Sequence, residues 1–217
     1  MMRLLRFLTL ACGLALAGAA SAAPVSTAPD DPAADRVIAA LASRAAPIKA
    51  YTFNLNVRVA LLTFPWIRFT LVGHGEYERN GSFLLHFDHV PVFGKGYSTI
   101  KMDALDPSNW SKHYVITLAG QDGTVSHLSM RDRIKSPLQE ATATIDEASG
   151  VRDLSWLWDY GGRIVVHVTP IFVSGYPFPQ FEDADISMPQ YHATAHAEFS
   201  DYNVTVEPSP TPPTVVK

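Results

Sequence analysis

Alternating apolar and polar residues are the dominant pattern of the chain from Tyr51 onward. Tyr51, Phe53, Leu55, Val57 and Val59 are separated by single polar residues. A period of two places one set of side chains on a buried face of a β-strand and the other set in water. Because similar stretches recur along the chain up to residue 206, the pattern predicts an antiparallel meander of about eight to ten strands.

One segment before these strands has helical periodicity instead. Asp31 and Pro32 supply a start signal, because Asp is a good N-cap and Pro fits the first helical position. Pro47 predicts that the helix ends near Arg44. The apolar stripe of this helix consists of Val37, Ile38, Leu41 and Ala45.

The turn at Arg79-Asn80-Gly81 decides which residues of the flanking strands share a face. A three-residue bulged loop pairs Tyr77 with Phe83 and keeps the apolar side chains together, whereas a two-residue turn mixes the faces. The bulged loop is therefore favoured. It places His74 opposite His86 on the polar face.

Three further hairpins have turn signals of their own. A bulged loop at Tyr160-Gly161-Gly162 pairs Asp159 with Arg163, and the same kind of loop fits Gln121-Asp122-Gly123. A four-residue loop fits Glu147 to Gly150. The residues that this loop brings side by side are Ala141, Ala143, Leu154 and Trp156.

A long curled sheet with one helix over its concave side leaves part of its apolar face uncovered. Gly73 and Gly75 lie on this face and are expected to widen the space locally. The sheet pattern alone leaves two interpretations open, a filled core and an apolar cavity that binds a hydrophobic ligand. The residues expected to line such a cavity are Phe69, Leu71, Tyr77, Phe83, Leu85, Phe87, Leu154, Trp156, Trp158, Ile164 and Val166.

Five short segments follow one another in a recognisable order from about Ala33 to Val204. The segments are the helix that passes into Ile48–Phe53, then Gly73–Arg79, His113–Leu118, Ala143–Asp146 with Gly150, and Phe199–Val204. In this order they resemble the outer-membrane lipoprotein-sorting proteins, the LolA/LolB-like superfamily. The resemblance implies a half-barrel of antiparallel strands with a cavity for acyl chains, and it favours the cavity over the filled core.

Residues 1–22 have the order of a secretory signal peptide. Arg3 and Arg6 precede an apolar stretch that closes in Ala20-Ser21-Ala22. The stretch is short for a bilayer span, which needs about 20 apolar residues. The chain is therefore expected to be cleaved after Ala22 and exported to the periplasm.

Composition narrows the class of protein further. The 217 residues include 47% apolar residues, carry a net charge of −4 and hold one cysteine, Cys12. The acidic balance argues against nucleic-acid binding, and a lone cysteine excludes a disulfide framework. The sequence around Cys12 makes it a poor site for a lipid anchor. Residues 23–206 are expected to form one domain, and the proline-rich residues 207–217 a disordered tail.

Two groups of ionisable residues offer chemistry other than hydrophobic binding. His74, His86 and Asp88 are expected to share the outer face, where they form either a solvated surface or a metal site. The cluster of Glu182, Asp183 and Asp185 indicates a solvated loop, with calcium binding as the alternative. The chain has no G-x-S-x-G elbow and no phosphate-binding glycine loop.

The sequence favours a monomeric, non-enzymatic periplasmic carrier or sensor without a cofactor. Its partner would be a lipid, an acyl chain or a lipoprotein anchor in the apolar cavity, with transient membrane contact left open. One alternative is an envelope module that holds a protein partner through a sheet edge or the turn Leu61–Trp66. A second alternative is a metal-dependent enzyme that uses the surface histidine and aspartate residues.

Overall fold

An antiparallel sheet holds most of the residues that the computed structural model describes, which are 31–79, 82–88, 99–101 and 107–207. The predicted signal segment, the Asn80-Gly81 turn and the tail from residue 208 lie outside these ranges. The described strands number eleven. The expected eight to ten was too low, because strands as short as Thr99–Lys101 have no readable alternation.

The sheet is open, with β4 and β5 as the edges of its described part. Its order is β4-β3-β2-β1-β11-β10-β9-β8-β7-β6-β5, so that the first and last strands are neighbours. The strands are β1 Ile48–Leu61, β2 Arg68–Glu78, β3 Ser82–Phe87, β4 Thr99–Lys101, β5 Tyr114–Asp122, β6 Val125–Asp132, β7 Leu138–Asp146, β8 Gly150–Trp158, β9 Arg163–Val173, β10 Tyr176–Met188 and β11 Tyr191–Val206. This single antiparallel sheet confirms the predicted mainly β fold.

Helix α1, Pro32–Ala45, is fastened to the sheet by its own N-cap. Asp31 accepts a hydrogen bond from the Ala33 N–H at 2.9 Å with one carboxylate oxygen. The other oxygen accepts one from the Leu118 N–H of β5, also at 2.9 Å. These two bonds, that of Leu118 above all, hold the pKa of Asp31 below its ordinary value. The sequence predicts the cap but not the bond to β5.

The apolar face of the sheet is buried in two separate cores. Helix α1 and the one-turn helix α2, Trp110–His113, cover the first core, which lies on β5–β8. The second core lies on β1–β3 and β9–β11, where the sheet curls around its own side chains. Leu154 and Trp156 of β8 pack against both. The two helices thus cover only the half of the described apolar face that lies on β5–β8, and β8 is the boundary.

The register of β2 and β3 confirms the sequence argument. Tyr77 pairs with Phe83, and His74 pairs with His86. Ala141 lies opposite Trp156 in the pairing of β7 with β8, as predicted, but Asp146 pairs with Gly150, so the loop has three residues and not the predicted four. An irregularity between Thr144 and Ile145 absorbs the difference. Both pairings keep the apolar side chains on one face of the sheet, and this requirement is what allowed the register to be predicted from the sequence.

Gly75 does not widen a cavity, contrary to expectation. Its neighbour across the strand pair is Phe53 of β1. A Cβ atom on Gly75 would lie 2.1 Å from Cζ of the Phe53 ring, so the ring occupies the space that a side chain would take. Gly73 is equally filled, since a Cβ there would lie 2.0 Å from the backbone oxygen of His86. Both glycines therefore serve close packing.

The predicted register of β8 and β9 is wrong by two residues. Arg163 pairs with Leu157 and not with Asp159. The loop closes earlier than expected, because the Gly161 N–H donates to the Trp158 oxygen at 3.0 Å and Gly161 has a φ of 83°. A slip of two residues leaves every side chain on its face, so alternation alone does not detect it.

The hairpin between β5 and β6 also differs from its predicted loop. Asp122 pairs with Val125, which leaves a two-residue turn at Gly123-Thr124 instead of a three-residue loop. An irregularity between Leu118 and Gly120 shifts the register by one residue. This shift restores the common apolar face on which Tyr114, Ile116, Leu128 and Met130 are buried.

Replacing Gly75 with alanine is expected to destabilise the fold by about 1–3 kcal/mol, because the added methyl group overpacks the buried Phe53 ring. Urea unfolding measures the change. Gly120→Ala is the matched control, since the nearest atom to its Cβ, His127 Cδ2, is 4.0 Å away. This control should change the free energy of unfolding by no more than about 0.5 kcal/mol. Equal effects of the two substitutions would contradict the packing assigned to Gly75.

Replacing Asp31 with alanine is expected to lower the urea midpoint, because the cap of α1 and its bond to β5 are lost together. Asp35→Ala, in the same helical turn and exposed, is the control and should change it less. The lowered pKa makes the contribution of Asp31 complete above its ordinary pKa of 3.8 and absent once the pH falls through the folded value. Acid should therefore remove the difference between wild type and Asp31→Ala.

Candidate ligand-binding cavity

A cavity of about 310 Å³ lies between the C-terminal end of α1 and the concave face of the sheet. This volume is near the lower end of the range for small-molecule sites, about 300–1,000 Å³. Helix α1 contributes Leu41, Ala42, Arg44 and Ala45 to the wall. The sheet contributes mainly aromatic and aliphatic residues, among them Tyr51, Phe53, Tyr77, Phe83, Leu85, Leu154, Val168, Phe178, Phe199 and Tyr202.

Tyr51 is at the centre of the aromatic part of this wall. Its ring centroid lies 4.9 Å from that of Tyr77 and 5.0 Å from that of Phe178. Tyr202 lies 4.8 Å from Phe178 and donates its hydroxyl hydrogen to the Pro179 oxygen at 2.7 Å. Rings held by several neighbours and by a hydrogen bond form a preformed apolar surface.

Four of the eleven residues predicted to line a cavity do form its wall. These are Tyr77, Phe83, Leu85 and Leu154. The other seven are not among the wall residues, and they pack within the second core instead. They are Phe69, Leu71, Phe87, Trp156, Trp158, Ile164 and Val166. The alternation predicted which face of the sheet is apolar. It did not predict at which end of the strands the cavity lies, because alternation carries no information about position along a strand.

Glu182 of β10 is the acidic group of the cavity wall. Burial in this apolar wall raises the pKa of its carboxyl to about 7. Among the described residues it has no hydrogen bond or ion pair. Burial also raises the pKa of Tyr202 of β11, another wall residue, with the charges of Tyr51 and Glu182 as further causes.

The sequence predicted that the acidic cluster with Glu182 lies in a solvated loop, and this prediction is wrong. Residues 176–188 form a strand, which sends consecutive side chains to opposite faces. Glu182 therefore lines the cavity, while Asp183 and Asp185 lie on the exposed face. The alternation of Glu182 with Ala184 and Ile186 is the signal in the sequence that identifies its inward direction.

Arg44 of α1 is the basic group of the wall. Its Nη1 atom is buried without a hydrogen-bond partner. The residue lies in the last turn of the helix, where the carbonyl dipoles favour a cation. Sequence reasoning used Arg44 only to mark the end of the helix, since its direction depends on how α1 docks.

The outer face of the sheet pairs histidines with carboxylates. His196 Nδ1 lies 2.6 Å from Asp183 Oδ1, and His192 Nε2 lies 3.0 Å from Asp185 Oδ2. The predicted meeting of His74 with His86 occurs, with ring centroids 5.1 Å apart. Within the described ranges, no three His, Cys, Asp or Glu side chains are arranged to hold a metal ion.

The turn between β1 and β2, one of the proposed partner surfaces, is exposed. Trp66 has 77% of its surface accessible, Leu62 49% and Phe64 37%. The rings of Phe64 and Trp66 contact each other edge to face, 5.8 Å between centroids. This turn is at the opposite end of β1 from the cavity.

No helix in the described part of the chain is both long and apolar enough to cross a membrane. No known protein family and no curated protein matches the chain at the level of sequence.

Solved structures, however, share the fold. A LolA superfamily protein from Nitrosomonas europaea has a TM-score of 0.57 and 9% identity, over 81% of this chain and 94% of that one. A DUF1329 family protein from Desulfovibrio piger has a TM-score of 0.58 and 9% identity, over 82% and 95%. An outer-membrane lipoprotein-sorting protein domain from Vibrio parahaemolyticus has a TM-score of 0.57 and 10% identity, over 85% and 95%. The chain therefore has a LolA-like fold, as the resemblance in its sequence implied.

Proposed function

We propose that this protein is a non-enzymatic periplasmic carrier or sensor that binds an acyl chain in its cavity. The observation that carries the proposal is the aromatic cavity of about 310 Å³ between α1 and an incompletely covered sheet. Each methylene group transferred from water into such a site contributes about 0.8 kcal/mol. The bound acyl chain would be part of a lipid or of a lipoprotein anchor.

Two further observations support this function. The structural neighbours include a protein described as an outer-membrane lipoprotein-sorting domain. The segment of residues 1–22 has the order of a signal peptide, which would deliver residues 23–206 to the periplasm.

Filling the cavity is expected to prevent acyl binding. Ala42 lies in the cavity wall, so the indole of Ala42→Trp would occupy the space of the chain. Calorimetric titration with monolauroylglycerol, an uncharged single-chain probe, should show affinity at least about tenfold weaker than that of wild type, the equivalent of two methylene groups.

Ala39→Trp is the matched control, because Ala39 is exposed on the same helix and does not line the cavity. It should bind the probe as wild type does, and urea unfolding of both variants checks that they are folded. Unchanged binding by a folded Ala42→Trp, or failure of wild type to bind any lauroyl probe, would refute the proposed function.

A further inference from the structure

Arg44 and Glu182 are the two side chains with full charges in the described wall of the cavity. Every other polar group of the described wall is a phenol, the serine hydroxyl of Ser149, the indole N–H of Trp110 or part of the backbone. The two side chains come from different layers, Arg44 from α1 and Glu182 from β10. Charged groups are rarely buried beside apolar surface unless a partner compensates them.

The described residues do not supply that compensation for Arg44. The guanidinium Nη1 is buried and has no acceptor, and no ion pair joins Arg44 to Glu182 or to another described carboxylate. A guanidinium N–H that has lost its water without gaining an acceptor is unfavourable. The cavity therefore holds an unsatisfied donor that carries a positive charge.

The raised pKa of the Glu182 carboxyl agrees with the lack of an ion pair between Glu182 and Arg44. A nearby guanidinium that paired with it would lower the pKa of the carboxyl, whereas burial raises it to about 7. Below this pH the carboxyl is largely neutral, and Arg44 then supplies the net charge of the wall. The cavity is consequently cationic at one point and apolar elsewhere.

From this arrangement we infer that the ligand is a single-chain anionic amphiphile, whose head group binds Arg44 while its chain lies against the aromatic wall. The inference rests on the proposed function and adds the charge and size of the ligand. A guanidinium binds carboxylate and phosphate oxygens alike, so a fatty acid and a lysophospholipid share the required chemistry. The volume of about 310 Å³ favours one chain over several.

Charge near the head group makes binding depend on pH. The titratable groups that share the described cavity wall with Glu182 are Arg44 from α1, Tyr51 from β1, Tyr77 from β2, Tyr202 from β11 and Tyr176 of its own strand. Phenols are uncharged near neutral pH and the guanidinium is always charged. Ionisation of Glu182 above about pH 7 would add a negative charge to the cavity and weaken the binding of an anion.

The test of the head group compares three lauroyl probes by calorimetry on the purified mature chain. The probes are laurate, lauroyl lysophosphatidic acid and the uncharged monolauroylglycerol. Arg44→Gln should weaken binding of the anionic probes at least about tenfold, with little effect on monolauroylglycerol, because a charge-assisted hydrogen bond is lost. Arg44→Lys should restore part of the loss, since the charge returns without the fork of donors.

Arg36→Gln is the matched control, because Arg36 is exposed on the same helix. It should leave all three affinities unchanged. The anionic probe that binds more tightly identifies the source of the head group, and tight binding of either supports the inference.

A second measurement does not depend on substitution of Arg44. Dodecanesulfonate keeps its charge between pH 6 and 8, so its affinity for wild type should fall as the pH rises and Glu182 ionises. In Glu182→Gln the affinity should stay at the value for low pH.

Three outcomes would overturn the inference. The first is equal affinity of wild type for charged and uncharged probes. The second is an equal loss of affinity for charged and uncharged probes in Arg44→Gln, which would mean that Arg44 stabilises the end of the helix and does not bind the head group. The third is a flat pH profile for dodecanesulfonate in wild type. In all three the uncharged probe still binds, so the proposed function stands; if no lauroyl probe binds, both are refuted.

Discussion

The described apolar face spreads over ten strands, β1–β3 and β5–β11, and is too large for one helix of 14 residues to cover. This mismatch governs the structure. Helix α1 buries the half on β5–β8, fastened there by Asp31. The half on β1–β3 and β9–β11 curls until its own side chains meet, with β8 as the boundary. The cavity is the space that remains where the end of the helix leaves the sheet.

The mismatch also explains why ionisable groups occur in an apolar wall. A strand that alternates strictly sends Glu182 inward with Ala184 and Ile186, and the end of α1 carries Arg44 over the same space. Neither satisfies the other. On the outer face the carboxylates of β10 are paired with histidines, so the unpaired groups occur where a ligand would meet them.

Sequence patterns predicted the parts of the fold that depend on the faces of strands. They gave the mainly β class, the N-cap at Asp31 and the register of β2 with β3, because an error of one residue there exposes apolar side chains. The predicted register of β8 with β9 was wrong, because an error of two residues leaves every side chain on its own face and exposes no apolar group. The position of the cavity and the role of Gly75 depend on how distant elements meet, as when the Phe53 ring covers the glycine.

Contacts between protons of a bound acyl chain and protons of the wall test the central claim most directly. Intermolecular nuclear Overhauser effects with a lauroyl chain should connect its methylene groups to the rings of Tyr51, Phe83 and Tyr202 in the cavity wall. Contacts confined to the exposed rings of Phe64 and Trp66, at the other end of β1, would contradict the account.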